Sequence, residues 1–383
     1  MNKNPLADLT KAGQSFWYDN IHRDLMSSGE LQKMIDQDYL RGITSNPSIF
    51  EKAITSSNQY DESLSKLLQT QPQLDARGYF FSIAIEDIQA AADQLLPVYQ
   101  ATSGLDGYVS LEVSPDLAHD TEASVKEAKE LWQRLNRPNV MIKIPSTQAG
   151  VPAVEQLIAE GININATLLF SVERYMEIAQ AYVNGLETRQ EKGLPVDSIS
   201  SVASFFISRV DSKIDDRLTN AMASAHANEQ EQIKALMGKA AVANAKRSYV
   251  HYLDMFGDKF SALQSAGARP QRLLWASTGT KNPDYSDILY IETLIGENTV
   301  NTMPPATYKA FKEHGTVANT LITDQKAAED VYWAASKWVD MPTVMRELED
   351  EGVSAFAKSF DNLLSAIEDK ISALKQKLPS SAA

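Results

Sequence analysis

The sequence predicts an α/β protein, a closed (β/α)8 barrel with extra helices. Three observations carry that prediction. Short β-type runs alternate with longer helical patterns along the chain, as a parallel sheet with crossover helices requires. Eight such runs fit in one chain of 383 residues. The first run and its turn, SFWYDNIHRD, contain no glycine, whereas an open doubly wound sheet normally offers a glycine-rich phosphate turn there.

The candidate strands are SFWYD (15–19), LRGIT (40–44), GYVSLEV (107–113), NVMIKI (139–144), GININATLLF (161–170), SSVASFF (200–206), RLLWAS (272–277) and TVNTM (299–303). Between them lie helical patterns. In VPAVEQLIAEG, residues Val151, Val154, Leu157 and Ile158 recur at helical spacing, and Pro152 suits a first turn. SVERYMEIAQAYVNGLETRQ follows the fifth strand and SDILYIETLIG the seventh. Two regions exceed a minimal barrel. Residues 45–105 hold a helical insertion, with SNQYDESLSKLLQ and IAIEDIQAAADQLLPVYQ as its helices. Residues 317–377 form a helical extension in which Val353, Phe356, Phe360, Leu363, Leu364, Ile367, Ile371 and Leu374 repeat at helical spacing, fit to pack on the barrel near its mouth. The last residues, KLPSSAA, read as frayed. No repeat and no long linker divides the chain, so residues 1–383 are expected to form a single domain.

Composition narrows the function. The net charge is −14 with no basic stripe, which argues against nucleic acid as a partner but leaves room for a local basic pocket. There is no cysteine, so disulfides, thiolate nucleophiles and cysteine metal sites are impossible. His22, His119, His226, His251 and His314 are scattered without ligand spacing, and no metal is expected. No run approaches about 18–20 uninterrupted apolar residues, so neither a signal peptide nor a membrane span is expected, and the default compartment is cytoplasmic.

Chemistry enters through the strands. Side chains alternate along a strand. In VMIKI, Val140, Ile142 and Ile144 share one face, and Met141 and Lys143 the other, which in a barrel points inward. The same alternation turns Tyr108, Ser110 and Glu112 inward, with Asn163, Asn165 and Thr167, and with Trp275 and Ser277. Barrel interiors are normally filled by branched apolar residues, and inward polar groups are costly without partners. Their coincidence suggests a site at the C-terminal ends of the strands. Taken singly, Lys143 could snorkel to solvent from an edge, and Glu112 could be its structural ion-pair partner. A lysine shielded by apolar neighbours loses solvation, and its neutral amine attacks carbonyls to give a Schiff base. With no metal ligands and no nucleotide fingerprint, the simplest chemistry is cofactor-free carbon–carbon cleavage. Glu112 and Asp19, at the ends of the third and first strands, are its candidate acid/base groups.

These motifs resemble transaldolases over nearly the whole chain. ITSNPSIF (43–50), GYVSLEVSPDLAHD (107–120), VMIKIPST (140–147), GININATLLFS (161–171) and SFFISRVD (204–211) occur in order at barrel-compatible spacings. The resemblance implies a TIM barrel of the class I aldolase type. It implies transfer of a dihydroxyacetone unit from fructose 6-phosphate or sedoheptulose 7-phosphate to glyceraldehyde 3-phosphate or erythrose 4-phosphate, without a cofactor, in the non-oxidative pentose phosphate pathway. By that similarity Lys143 is the Schiff-base lysine and Asp19 the acid/base acting on the C4 hydroxyl. Glu112 passes protons through a water that Thr167 helps to hold. Asn46 and Asn165 bind substrate hydroxyls, Ser204 and Phe206 line the pocket, and Arg209 binds phosphate. After the seventh strand the shorter relatives carry Ser-Phe-Arg-Asn, whereas this chain has STGTKN (277–282). Ser277 aligns, and Lys281 stands in for the arginine as a point charge without the planar fork. The added length fits a longer subgroup found in cyanobacteria and actinobacteria. Two rival functions remain at this stage: a fructose 6-phosphate aldolase, which releases the three-carbon unit, and a non-catalytic sugar-phosphate-binding barrel. A monomer and a homodimer are both compatible with the sequence.

Overall fold

The computed structural model describes residues 4–377. Eight strands, β1 (Gln14–Tyr18), β2 (Leu40–Ile43), β3 (Tyr108–Glu112), β4 (Val140–Pro145), β5 (Ile164–Leu169), β6 (Ser201–Phe206), β7 (Arg272–Ala276) and β8 (Thr299–Met303), pair in parallel in sequence order and close through β1 and β8. This is the expected barrel. The outward face of β4 is apolar: Val140, Ile142 and Ile144 are fully buried beneath the surrounding helices.

Two local expectations fail, both through tertiary hydrogen bonds. Strand parity places Trp275 inside the barrel. Instead its indole donates to the Leu294 carbonyl outside, and it meets the ring of Phe205 edge-on. Arg272, Leu274 and Ala276 carry the inward parity of β7, in register with Val202, Ser204 and Phe206. The segment after β7 forms only a short helix, Leu289–Glu292. The Leu294 carbonyl accepts from Gln14 and Trp275, and the Glu292 carbonyl from Thr320, so these acceptors serve neighbouring segments and not a longer helix.

The N-terminal end of the barrel is plugged by polar groups. Arg272 donates to Ser15 Oγ and to Asp106 Oδ1 at 2.8 Å, and Ser15 and the Trp17 indole also donate to Asp106. Trp17 lies across Gly42, where a Cβ would meet the indole at 2.5 Å, so only glycine allows this crossing. Asp106→Ala would leave the Arg272 guanidinium buried without its carboxylate. A loss of about 3–5 kcal/mol is expected in urea unfolding; a loss below about 1 kcal/mol would mean that the network contributes little.

At the other end, connecting helices build the rim. The β2–β3 connection carries helices Pro47–Thr55, Asp61–Thr70 and Ala76–Ala101. The C-terminal helix, Met341–Lys377, packs against all three and against Ser208–Met222. Val353, Phe356, Phe360, Leu363, Ile367, Ile371 and Leu374 of the stripe that the spacing marks are buried, and Leu364 is half-buried beside them. Ion pairs fasten it: Glu347 to Arg217 and Lys213, Glu351 to Lys213, and Glu349 to Arg174. The frayed tail expected beyond Lys377 lies outside the described residues.

Candidate active site

The strand register assembles the site. Glu112 of β3 stands opposite Lys143 of β4, and Lys143 opposite Asn165 of β5, so one level of the barrel carries all three inward. Lys143 is 5 % exposed. Its Nζ donates to the Ser45 carbonyl at 2.9 Å and lies 3.3 Å from Glu112 Oε2. Its surroundings are thus more polar than the apolar strand suggests. The Phe356 ring centroid is 6.0 Å from the Nζ.

Glu112 Oε1 and Thr167 Oγ1 are buried and have no hydrogen-bond partner among the described residues. Burial pushes the Glu112 carboxyl above its ordinary range, and the Lys143 charge pulls the other way. Asn165 is held from both sides, donating to Ser110 Oγ at 3.1 Å and accepting from Ser204 Oγ at 2.6 Å.

Asp19 follows β1, and its amide donates to the Met303 carbonyl. Thr44 donates to Asp19 Oδ1 at 2.7 Å and is itself 2.6 Å from Thr302 Oγ1. Burial raises the Asp19 carboxyl pKa, against the Thr44 hydrogen bond and the charges of Lys143, Arg209 and Lys281. Asn46 caps the helix Pro47–Thr55 by accepting from the Ile49 amide, which fixes the entry of that helix beside the site.

One end of the cavity is cationic, with Arg209 and Lys281 among its lining residues. Arg209 opens the helix Ser208–Met222 after β6, with its guanidinium carbon 5.3 Å from the Phe206 ring and 5.7 Å from Phe356. Two aromatic faces hold it as a planar fork. Ser277 reaches the site by a different route from the one its sequence parity implies. Its φ is +55°, which breaks the strand alternation, and its hydroxyl lies 2.8 Å from Ser208 Oγ. Lys281 is exposed on the following loop, which Tyr285 ties to Asp215 through a 2.7 Å hydrogen bond.

A cavity of about 200 Å³ joins these groups at the C-terminal ends of the strands. Asp19, Asn46, Lys143, Thr167, Ser204, Phe206, Arg209, Ser277 and Lys281 all line it, while Glu112 and Asn165 stand directly behind, touching Lys143 and Ser204. A cleft of about 480 Å³, lined by Lys213 and Arg217 among others, shares Arg209 and Lys281 with it and opens outward. Seven lining residues escape sequence reasoning: Thr44, Ser48, Ala276, Gly279, Thr302, Pro304 and Phe356. Thr44 and Ser48 lie inside ITSNPSIF and Thr302 inside the eighth strand, where inward parity could have found it. Phe356 carries no sequence signal beyond an apolar stripe. Among the described residues, no group of three or more His, Asp or Glu could hold a metal ion, and no helix is long and apolar enough to cross a membrane.

The sequence profile of the Transaldolase/Fructose-6-phosphate aldolase family matches residues 16–367. The chain is 46 % identical over 380 residues to a protein of Nostoc punctiforme named Transaldolase 2, covering 98 % of this chain and 99 % of that one. It is 44 % identical over 383 residues to the Transaldolase of Mycolicibacterium smegmatis, covering 98 % and 100 %. With that of Trichodesmium erythraeum, also named Transaldolase, the identity is 43 % over 379 residues, covering 98 % and 99 %. The chain belongs to the transaldolase/fructose-6-phosphate aldolase family.

Proposed function

We propose that the protein is a transaldolase, moving a dihydroxyacetone unit from a ketose phosphate to an aldose phosphate through a Schiff base on Lys143. The observation that carries this reading is Lys143 itself: a buried amine lining the barrel-mouth cavity, between Glu112 and a cationic end formed by Arg209 and Lys281.

The Lys143 amine attacks C2 of the ketose, and loss of water gives an iminium. Asp19 takes the C4 hydroxyl proton, the C3–C4 bond breaks, and the electron pair passes into the iminium as an enamine. The aldose phosphate leaves, and an acceptor aldose phosphate enters. The enamine carbon attacks its aldehyde, and Asp19 returns its proton to the new hydroxyl. Hydrolysis frees the longer ketose and restores the amine. Glu112 Oε1 and Thr167 Oγ1, buried without a protein partner, would hold a water that relays protons for the dehydration and hydrolysis steps. Asn46 and Asn165 bind the hydroxyls of the three-carbon unit, and Arg209 with Lys281 binds the phosphate. The site then sits in the cytoplasm, where its sugar-phosphate substrates are found.

The test is product analysis. Fructose 6-phosphate with erythrose 4-phosphate should give sedoheptulose 7-phosphate and glyceraldehyde 3-phosphate in equal amounts. Free dihydroxyacetone matching turnover would make the protein an aldolase instead. For the phosphate site, Arg209→Ala should raise KM for fructose 6-phosphate about 10–100-fold, the worth of charge-assisted hydrogen bonds. Turnover of unphosphorylated fructose should hardly change; an equal fall for both donors would remove Arg209 from phosphate binding.

A further inference from the structure

A reaction of this kind leaves an enamine on Lys143 while one aldose phosphate departs and another arrives. During that interval a proton reaching C3 would end the transfer. The C-terminal helix supplies a cover over this point. Gly352 approaches β5 so closely that a Cβ there would lie 3.0 Å from Leu168 Cδ2. Glycine inside a helix is unfavourable against alanine, and here it lets the helix settle onto the barrel. Leu168, with φ +61°, is itself the bulge that ends the regular pairing of β5.

Phe356 follows one turn later on the same face and lines the cavity. Its ring centroid is 6.0 Å from Lys143 Nζ and 5.7 Å from the Arg209 guanidinium carbon. A carbon bonded to the Nζ sits roughly 1.3–1.5 Å from it, so a bound three-carbon unit approaches van der Waals contact with the ring. A ketose phosphate running from Lys143 to Arg209 passes beneath it. The ring is also fixed: Phe360, the next turn, packs edge-on against Phe80 at 5.5 Å, and Ser359 is hydrogen-bonded to Ser48 at 2.8 Å.

We infer that Phe356 is a ceiling that keeps water from the enamine on Lys143 and so sets the partition between transfer to an aldose and release of free dihydroxyacetone. The inference rests on the Schiff-base reading above. In the release branch the enamine C3 takes a proton from water. Hydroxide then adds to C2, and the C2–N bond to Lys143 breaks, giving dihydroxyacetone and the free amine. Neither oxidant nor reductant is needed. The aldose exchanges sideways, through the cleft that shares Arg209 and Lys281, so the ceiling need not lift.

The experiment compares wild type, Phe356→Ala and Phe356→Leu on fructose 6-phosphate with erythrose 4-phosphate. Free dihydroxyacetone is measured against sedoheptulose 7-phosphate. The expected ratio rises at least about tenfold in Phe356→Ala and by a smaller factor in Phe356→Leu, which keeps most of the apolar bulk. In D2O the released dihydroxyacetone should gain one deuterium at the carbon that was C3. A merely structural role would lower both products together and leave the ratio at its wild-type value, and that result overturns the inference. If Phe356→Ala does not fold, an unchanged ratio in Phe356→Leu overturns it equally. Each protein is also treated with fructose 6-phosphate and borohydride. An adduct on Lys143 with an unchanged ratio refutes the ceiling alone, whereas a wild type with no adduct refutes the mechanism beneath it.

Discussion

Lys143→Ala is expected to lower turnover by about 10⁴-fold or more, the scale of loss when a covalent nucleophile is removed. No other lysine can replace it. Among the cavity-lining residues the other lysine is Lys281, which is exposed on the loop after β7, whereas Lys143 stands in register with Glu112 and Asn165. The fold should survive the change. Removing the ammonium leaves Glu112 without its counter-charge, but burial already biases that carboxyl toward its neutral form, so it can take up a proton and avoid standing as a naked buried charge. The Ser45 carbonyl loses one donor. Circular dichroism and thermal melting should therefore show a folded protein in which activity alone is lost. Turnover within tenfold of wild type would sink the mechanism.

Asp19→Asn should cost about 10²–10⁴-fold in kcat, the range for a positioned acid/base group. Asparagine keeps the size and can still accept from Thr44, so the loss reports the proton and not the packing. The pH profile gives the sharper reading. Asp19 must be ionised to take the C4 proton, and burial raises its pKa above the ordinary carboxylate value. Activity should thus fall as pH drops through a midpoint above that ordinary value, and rise again as the carboxylate forms. Thr44→Val removes the hydrogen bond that stabilises the ionised form, so it should move the acid limb to still higher pH. Glu112 is raised as well, and Glu112→Gln separates the two: the acid limb should persist without Glu112. A limb unmoved by Thr44→Val would show that another group controls it.

What the sequence reveals here follows from short-range geometry. The period of two in VMIKI suffices to turn Lys143 inward, and eight alternations of strand and helix suffice for a barrel. Parity fails where the backbone leaves the strand. Trp275 faces outward, and Ser277 reaches the cavity only because its left-handed φ breaks the alternation. Nothing in STGTKN announces that conformation. The shortness of the helix expected over SDILYIETLIG has another cause: its apolar spacing is real, but the carbonyls of Glu292 and Leu294 are taken by Thr320, Gln14 and Trp275. Phe356 is the clearest case. Its stripe on the C-terminal helix reads only as a face to be buried. That the burial occurs over Lys143 depends on a helix distant in sequence coming within contact of β5 at Gly352, which no local pattern encodes.

Borohydride trapping addresses the central claim most directly. The protein is incubated with fructose 6-phosphate, reduced, and examined by intact mass and peptide mapping. The mechanism predicts one adduct of dihydroxyacetone size, on Lys143, and none in Lys143→Ala. A folded wild type that binds fructose 6-phosphate yet yields no adduct, or yields it on another lysine, would contradict it and leave the Lys143–Glu112 contact as a structural ion pair.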